Sequence, residues 1–141
     1  MGRPIRHGAW YPDARVRLFD RRRARWAGQN PHDRVQLDGP SRSLKGRLLH
    51  DPYRSLGEHL RTIESYTRIS AEEALTSGRR AHWWDPVIRP FLHIVKALLF
   101  KMGFLDGIRG WCLAILGATY VSLKWTRIYL GARAKSEDSS R

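Results

Sequence analysis

The pattern of polar and apolar positions gives residues 1–50 the character of β-strands. The alternation is clear in residues 15–19 and 34–38, and residues 44–50 form a third candidate strand. Residues 20–23 predict a charged turn, and the Gly and Pro within residues 38–41 predict the end of a strand. Three short strands do not make a stable sheet with two solvated faces. The pattern therefore predicts the edge of a larger sheet.

After residue 54 the apolar period changes to that of an α-helix. Ser55 and Glu58 match a capping box, in which the serine side chain accepts the Glu58 amide and the glutamate reaches back. Small or apolar residues recur at helical spacing as far as Leu75, and Gly78 predicts the C-terminal end. We therefore predict an amphipathic helix within residues 55–80.

Two apolar helices are predicted in residues 81–131. Asp85, directly before a proline, predicts the start of the first helix, which is expected to end near Gly103. Asp106, directly before a glycine, opens the second. Its uncharged run over residues 110–123 spans about 21 Å at roughly 1.5 Å per residue, whereas a bilayer core is about 30 Å thick. Spanning is therefore disfavoured, and we expect both helices to lie in or dip into one leaflet.

Charge indicates the kind of surface that this chain meets. Lys and Arg total 26 against 13 Asp and Glu, so the formal net charge is +13 and implies an anionic partner. Tryptophans in the apolar half favour a membrane surface over nucleic acid, because Trp is enriched at membrane interfaces. The residues predicted to lie at the lipid head groups are Arg89, Lys96, Lys101, Arg109, Trp111, Lys124, Trp125 and Arg127.

The cysteine count and the two termini narrow the class of protein further. The single cysteine, Cys112, excludes a disulfide framework within the chain and a cysteine-rich zinc site. Residues 1–8 carry positive charges with no apolar run after them, so no secretory signal is expected and the chain should stay on the cytoplasmic side. The polar tail, residues 132–141, is expected to be disordered.

A series of short motifs is the most specific feature of the chain. In order they are Trp10-Tyr11-Pro12-Asp13, Arg17-Leu18-Phe19, Asn30-Pro31-His32-Asp33-Arg34-Val35, Leu44-Lys45-Gly46-Arg47-Leu48-Leu49-His50, Tyr53-Arg54-Ser55-Leu56 and Gly103-Phe104-Leu105-Asp106-Gly107. The series resembles the C-terminal half of bacterial family 2 glycosyltransferases that build lipopolysaccharide core sugars, and it covers nearly all of the chain. The resemblance implies an α/β fold class: the C-terminal part of a GT-A-like (nucleotide-diphospho-sugar transferase) fold, with a few β-strands and a helix before an apolar membrane-associated helical hairpin.

The resemblance also implies a division of labour along the chain. Residues 1–54 would be the acceptor-side, β-rich part of the glycosyltransferase domain, before the amphipathic helix, the membrane-associated helices and the tail. Family members begin with a nucleotide-sugar-binding half that carries an Asp-x-Asp metal motif, and no Asp-x-Asp occurs in this sequence. We therefore expect the acceptor- and membrane-facing half of such an enzyme, inactive alone. The complete enzyme is expected to use Mg or Mn, and the fragment alone to need no cofactor.

His32 and Asp33 are the predicted catalytic residues. Family 2 transferases use a carboxylate to take the proton from the acceptor hydroxyl as it attacks the anomeric carbon, and relatives of this subgroup carry His-Glu at the matching site. A general base must be ionised and within hydrogen-bond reach of that hydroxyl. Asp33 supplies the required carboxylate, although its side chain is shorter than that of the glutamate in relatives. The alternative is structural: Asp33 caps a turn after Pro31 and pairs with Arg34.

Other motif residues have predicted binding roles. Trp10, Tyr11 and Asp13 would line the acceptor pocket, because sugar rings stack on aromatic faces and carboxylates bind hydroxyl groups. Arg17 would face the donor diphosphate, and His50 would complete the metal shell. The alternatives are loop packing for the first three, a salt bridge within the sheet for Arg17, and a strand-end histidine bonded to backbone for His50.

The leading hypothesis places the chain at the cytoplasmic face of the bacterial inner membrane, peripheral or monotopic. There it would serve an inverting transferase that moves a sugar from a nucleotide-sugar donor to a lipid-linked oligosaccharide acceptor. A truncated gene, a misassigned start or a partner acting in trans would explain the missing donor half. A basic nucleic-acid-binding protein and a non-catalytic membrane-surface protein are the alternatives. We expect no nucleic acid partner, because neither zinc spacing nor an RNA-recognition aromatic motif occurs.

Overall fold

The computed structural model describes residues 4–28, 34–44, 46, 53 and 55–138. This part of the chain is mainly helical, with α1 at Leu56–Thr76, α2 at Asp85–Val95 and α3 at Ile108–Asp138. Strands β1 (Ala24–Ala27) and β2 (Arg34–Leu37) pair antiparallel, with Trp26 opposite Val35. A π-helical turn at Lys96–Phe100 prolongs α2, and 3-10 turns lie at Gly8–Trp10 and Gly103–Asp106.

Helix α3 lies between the other two helices. Helix α2 runs antiparallel to it: the Ser122 hydroxyl donates to the Pro86 carbonyl at 3.0 Å near one end of α2. Ala97, just beyond the other end of α2, packs against Ala114 earlier in α3. Among the described elements, α1 and α2 each pack on α3 and form no pair with each other.

Helix α1 runs parallel to α3. The hydroxyls of Ser70 and Tyr120 lie 3.1 Å apart, and further along both helices Ile128 is fully buried against Ala71 and Ala74. The buried apolar residues in the described part of the chain are mostly small, so the helices approach α3 closely. They are Ile63, Ala71, Ala74, Ala97, Leu98, Leu113, Ala114, Ala118 and Ile128.

The ends of α1 are set by local hydrogen bonds, as predicted. Ser55 Oγ accepts the backbone N–H of Glu58 at 3.1 Å, which confirms the N-cap. At the other end Gly78, at φ +76°, donates its N–H to the carbonyl of Leu75, and the next residue's N–H donates to the carbonyl of Ala74. This is a Schellman motif, in which a glycine takes the left-handed conformation that other residues adopt at a cost.

Asp85 holds the start of α2 in place, where the sequence predicts it. Its side chain is buried and accepts the backbone N–H of His82 at 2.7 Å and Nε of Arg89 at 2.6 Å. Burial alone would raise the pKa of Asp85, but these donors together hold that pKa below its usual value. The Arg89 guanidinium also lies 3.8 Å from the centre of the Trp125 ring, which joins α2 to α3.

Two segments differ from the sequence-based expectation. Residues 15–19 are not in a strand, because β1 and β2 pair with each other and alternation alone supplies no pairing partner. Residues 132–138 continue α3, where a disordered tail is predicted. Alanine, arginine and lysine there favour helix, and Arg133 donates to the Tyr129 hydroxyl at 3.0 Å one turn earlier. Of the third candidate strand, residues 45 and 47–50 lie outside the described part.

Candidate functional site

A cleft of about 330 Å³ opens where the N-terminal segment (residues 4–11), Tyr53 and all three helices meet. Its described lining residues are Ala9, Trp10, Tyr53, His59, Thr62, Ile63, Tyr66, His93, Leu116, Gly117 and Tyr120. Among these described residues none is Asp, Glu, Lys or Arg, although 28% of the chain is charged. The cleft therefore presents aromatic rings, imidazoles and hydroxyl groups.

Three rings form one wall of the cleft. The rings of Tyr53 and His59 stack with their centres 4.0 Å apart, and the Trp10 ring lies 5.4 Å from His59 and 5.8 Å from Tyr53. Burial lowers the pKa of His59, which favours its neutral form. Burial, with smaller contributions from Tyr66 and Glu58, raises the pKa of Tyr53 and keeps its hydroxyl protonated. The wall is therefore electrically neutral.

His93 forms the facing wall. Its Nε2 is buried and has no hydrogen-bond partner within the part of the chain that the structure describes. The ring rests on the backbone of α3 at Gly117, where an added Cβ would overlap it. Burial, then the charges of Lys96 and Lys101, lower the pKa of His93, so the neutral imidazole is favoured. Sequence reasoning assigned no site role to His59 or His93, since neither stands in a recognisable catalytic or metal-binding pattern.

The N-terminal segment reaches the cleft because Asp106 holds it. The Asp106 carboxylate accepts the backbone N–H groups of Arg6 at 3.0 Å and His7 at 2.7 Å, and the His7 ring lies 3.3 Å from it. Burial alone would raise the pKa of Asp106, but these bonds together keep it below its usual value. This attachment, at the turn before α3, places Trp10 at the mouth of the cleft.

Three glycines allow the chain to cross itself closely beside this attachment. The backbone N–H of Gly8 donates to the carbonyl of Lys101 at 2.8 Å. A Cβ on Gly103 would lie 2.6 Å from the carbonyl oxygen of Ala97, and a Cβ on Gly110 would overlap the carbonyl of Gly103. A side chain at Gly103 would force this turn away from Ala97 and the N-terminal segment, and a side chain at Gly110 would force α3 away from the turn.

The structure brings one of the three predicted acceptor residues to the cleft. Trp10 lines it, whereas Tyr11 lies beside it, 38% exposed, and is not part of the wall. Asp13 lies at the surface and accepts a hydrogen bond from Arg15 Nε at 2.8 Å. Arg17 is exposed in the segment without regular secondary structure that precedes β1.

The predicted catalytic pair, His32 and Asp33, and the predicted metal ligand, His50, lie outside the described residues. Within the described ranges, no group of three or more His, Cys, Asp or Glu side chains is placed to hold a metal ion. These roles stay predictions.

A second feature is an exposed apolar surface, here called the apolar face. It covers the side of α2 away from α3 and continues through the following turns into the start of α3. Its members are Val87, Ile88, Phe91, Leu92, Leu99, Phe100, Phe104, Leu105, Ile108 and Trp111. Phe100 is 81% exposed and Ile108 77%. A large apolar surface of this kind marks a contact with another molecule or a membrane.

The residues predicted at the lipid head groups divide into two sets. Lys96, Lys101, Arg109 and Trp111 lie in the same stretch of chain as the apolar face, and all except the half-buried Arg109 are exposed. The described helices include none that is both long enough and apolar enough to cross a membrane.

The second set lies between helices. Arg89 and Trp125 stack on each other, and Arg127 donates to Glu64 at 3.1 Å, which links α3 to α1. Lys124 is half-buried, and its pKa is lowered first by burial and then by Arg79, with Glu73 opposing. The structure therefore places Arg89, Trp125 and Arg127 in contacts between helices, and it leaves Lys124 half-buried.

Over 131 residues the chain is 26% identical to the lipopolysaccharide core biosynthesis glycosyltransferase LpsC of Rhizobium meliloti (strain 1021), an alignment that covers 88% of this chain. The chain is distantly related to a glycosyltransferase. It spans about half of that relative's length, since the alignment covers 48% of LpsC. No protein-family model and no solved structure matches the chain.

The relationship confirms the coarse part of the sequence resemblance, namely a glycosyltransferase-like chain. Assignment to family 2 and to a GT-A-like fold stays a prediction. The described structure shows helices and one two-stranded sheet.

Proposed function

We propose that the chain is the acceptor-side part of an inverting family 2 glycosyltransferase with a GT-A-like fold. The complete enzyme would move a sugar from a nucleotide-sugar to a lipid-linked oligosaccharide of the lipopolysaccharide core. The observation that carries this proposal is the identity to LpsC along 88% of the chain. Since the sequence contains no Asp-x-Asp, the donor and its Mg or Mn would be bound mainly by another part of the complete protein. The chain alone is then expected to transfer no sugar.

Within this proposal the motif residues take distinct roles. Asp33, next to His32 in the sequence, would accept the proton of the acceptor hydroxyl as that oxygen attacks the anomeric carbon and the nucleoside diphosphate leaves. Arg17 would pair with the donor diphosphate and His50 would join the metal shell. Trp10 is the member of the predicted acceptor set that the cleft geometry supports.

The proposal is tested with a chimera in which this chain replaces the aligned part of LpsC. In an LpsC-deficient strain of Rhizobium meliloti, we expect the chimera to restore the lipopolysaccharide core, seen as a return of the core band to its normal position on a gel. The matched control is LpsC with the aligned part deleted, which should restore nothing. A chimera that accumulates in folded form and leaves the core truncated would count against the proposal.

We also propose that the apolar face rests on an anionic membrane, which places the chain peripherally or monotopically at the cytoplasmic face of the inner membrane. Phe91, Phe100 and Ile108 offer apolar side chains to the acyl region, and Lys96 and Lys101 lie near them for contact with phosphates. The net charge of +13 adds a general attraction to anionic lipid. Nucleic acid would pair with the positive charge but would leave the apolar face exposed to water.

Replacing both Phe91 and Phe100 with glutamate is expected to weaken binding to phosphatidylglycerol vesicles by roughly tenfold or more, because burying each phenylalanine contributes about 1.5–3 kcal/mol. Co-sedimentation at low and high salt measures the effect. The matched control is Leu18→Glu, because Leu18 is 82% exposed but lies outside the apolar face, in the irregular segment before β1.

Equal vesicle binding by the double variant and the unmodified chain would remove the apolar face from membrane attachment. If that variant instead lost binding to a separately produced donor half, the face would be a contact between protein parts. Failure to bind vesicles, together with tight salt-sensitive binding to DNA, would favour the nucleic-acid hypothesis.

A further inference from the structure

We propose that the cleft between Trp10 and His93 binds one neutral hexose ring. That the ring belongs to the acceptor oligosaccharide rests on the proposed function above. The binding itself is inferred from the size of the cleft, the absence of charge among its described lining residues, and the exposed indole at its mouth.

The volume of the cleft is sufficient for a single sugar ring. At about 330 Å³ it falls at the small end of the range of about 300–1,000 Å³ that small-molecule sites span. Larger stretches of an oligosaccharide would have to lie outside it. The cleft also opens to solvent beside Trp10, which is 38% exposed, so a ring can enter while the rest of its chain stays outside.

The lack of charge selects against anionic ligands. The sequence carries 26 lysines and arginines, yet none of the described residues that line the cleft is one of them. A phosphate or carboxylate group would enter this space without a cation to compensate for its lost hydration. A neutral polyol has no such penalty, because its hydroxyl groups need hydrogen-bond partners and not counter-charges.

The lining supplies both kinds of contact that a sugar ring needs. The indole of Trp10 offers an aromatic face to the C–H groups of a pyranose ring. Tyr66, which is 40% exposed, lines the cleft and carries a hydroxyl group. The Thr62 hydroxyl donates to the Glu58 carbonyl at 3.0 Å, so it can only accept a further hydrogen bond. His59 and His93 favour the neutral form, so neither imidazole brings a positive charge to the cleft.

The position of the cleft relates it to the apolar face. His93 lines the cleft on the α3 side of α2, whereas Phe91 and Leu92 on the same helix are exposed on the other side. A ring in the cleft would lie about one helix diameter, roughly 10 Å, from the surface that we propose rests on the membrane. This spacing suits a sugar that is attached to a lipid.

The experiment measures binding of methyl glycosides of glucose, galactose and mannose to the full chain by saturation-transfer NMR. We expect saturable binding of at least one of them with a dissociation constant on the order of 1–10 mM, as the ligand efficiency of a small polar ring allows. Trp10→Ala is expected to weaken that binding at least tenfold. The matched control is Trp26→Ala, which removes an indole that is 67% exposed on β1, away from the cleft.

A second variant guards against misfolding of Trp10→Ala. Tyr66→Phe removes one hydroxyl from the cleft and is expected to weaken binding about three- to tenfold, the value of one neutral hydrogen bond. The proposal is overturned if no neutral glycoside binds saturably or if both cleft variants bind as the unmodified chain does. It is also overturned if glucose 6-phosphate binds more tightly than the methyl glucoside, because the site would then be cationic.

Two outcomes separate this inference from the proposed function. If the chain binds a methyl glycoside through Trp10 but the LpsC chimera restores no core, the cleft stands and the transferase role fails. If the chimera restores the core, and the chimera with Trp10→Ala restores it equally well, the transferase role stands and the cleft is not its sugar site.

Discussion

Replacing Gly110 with alanine is expected to lower the free energy of unfolding by roughly 3 kcal/mol or more, at the upper end of overpacking effects. The added Cβ would overlap the carbonyl group of Gly103. The backbone fixes the position of the Cβ, and the atom that it meets is a backbone carbonyl, so the clash cannot be relieved by rotating a side chain. Urea unfolding followed by far-UV circular dichroism measures the change.

Gly57→Ala is the matched control. Gly57 lies exposed in the first turn of α1, where the nearest atom to an added Cβ is Ser55 Oγ at 3.9 Å. Alanine there is expected to raise stability by about 0.5–1 kcal/mol, because it restricts the unfolded chain and favours helix. An unfolding midpoint for Gly110→Ala equal to that of the unmodified chain would show that α3 does not pack on the Gly103 turn as described.

In the LpsC chimera, Asp33→Asn is expected to reduce the turnover of sugar transfer by about 10²-fold or more, the contribution of a positioned general base. Asparagine keeps the shape of the side chain but cannot take the acceptor proton. Asp33→Glu restores a carboxylate on the longer arm that relatives carry, so it should retain most of the turnover. Initial rates at saturating acceptor, measured across pH, separate the two variants.

The control for this comparison is stability, because Asp33 has a structural alternative in a turn with Arg34. Both variants should unfold at the same urea concentration as the unmodified chimera. Near-normal turnover of the Asn variant would remove Asp33 from the mechanism. A parallel loss of turnover and stability in both variants would favour the structural role.

The two sides of α2 have different proposed roles, sugar binding on one side and membrane contact on the other. One side packs on α3 and closes the cleft through His93, and the other exposes large apolar side chains. The cleft and the apolar face can be tested separately. The double variant Phe91→Glu with Phe100→Glu leaves the residues that line the cleft intact, and Tyr66→Phe leaves the apolar face intact.

Local features of the sequence determined where α1 begins and ends and where α2 begins. Ser55 caps α1 through the amide of Glu58, and Gly78 ends it. Asp85 starts α2 beside a proline. These features are readable in sequence because a cap involves residues within one turn of each other, so no distant contact is needed to form it. The order of the short motifs likewise indicated the glycosyltransferase relationship without any tertiary information.

Tertiary structure alone decided which side chains meet. Alternation at residues 15–19 gave no strand, because a strand requires a paired neighbour that the pattern does not name. Helical periodicity predicted that α1 buries one face, but not that Glu64 on α1 would accept a hydrogen bond from Arg127 on α3. The Asp106 carboxylate accepts the backbone N–H of His7, 99 residues earlier in the sequence, and that contact brings Trp10 close to His59. Such contacts depend on how the helices pack, which a pattern of spacing within one segment does not encode.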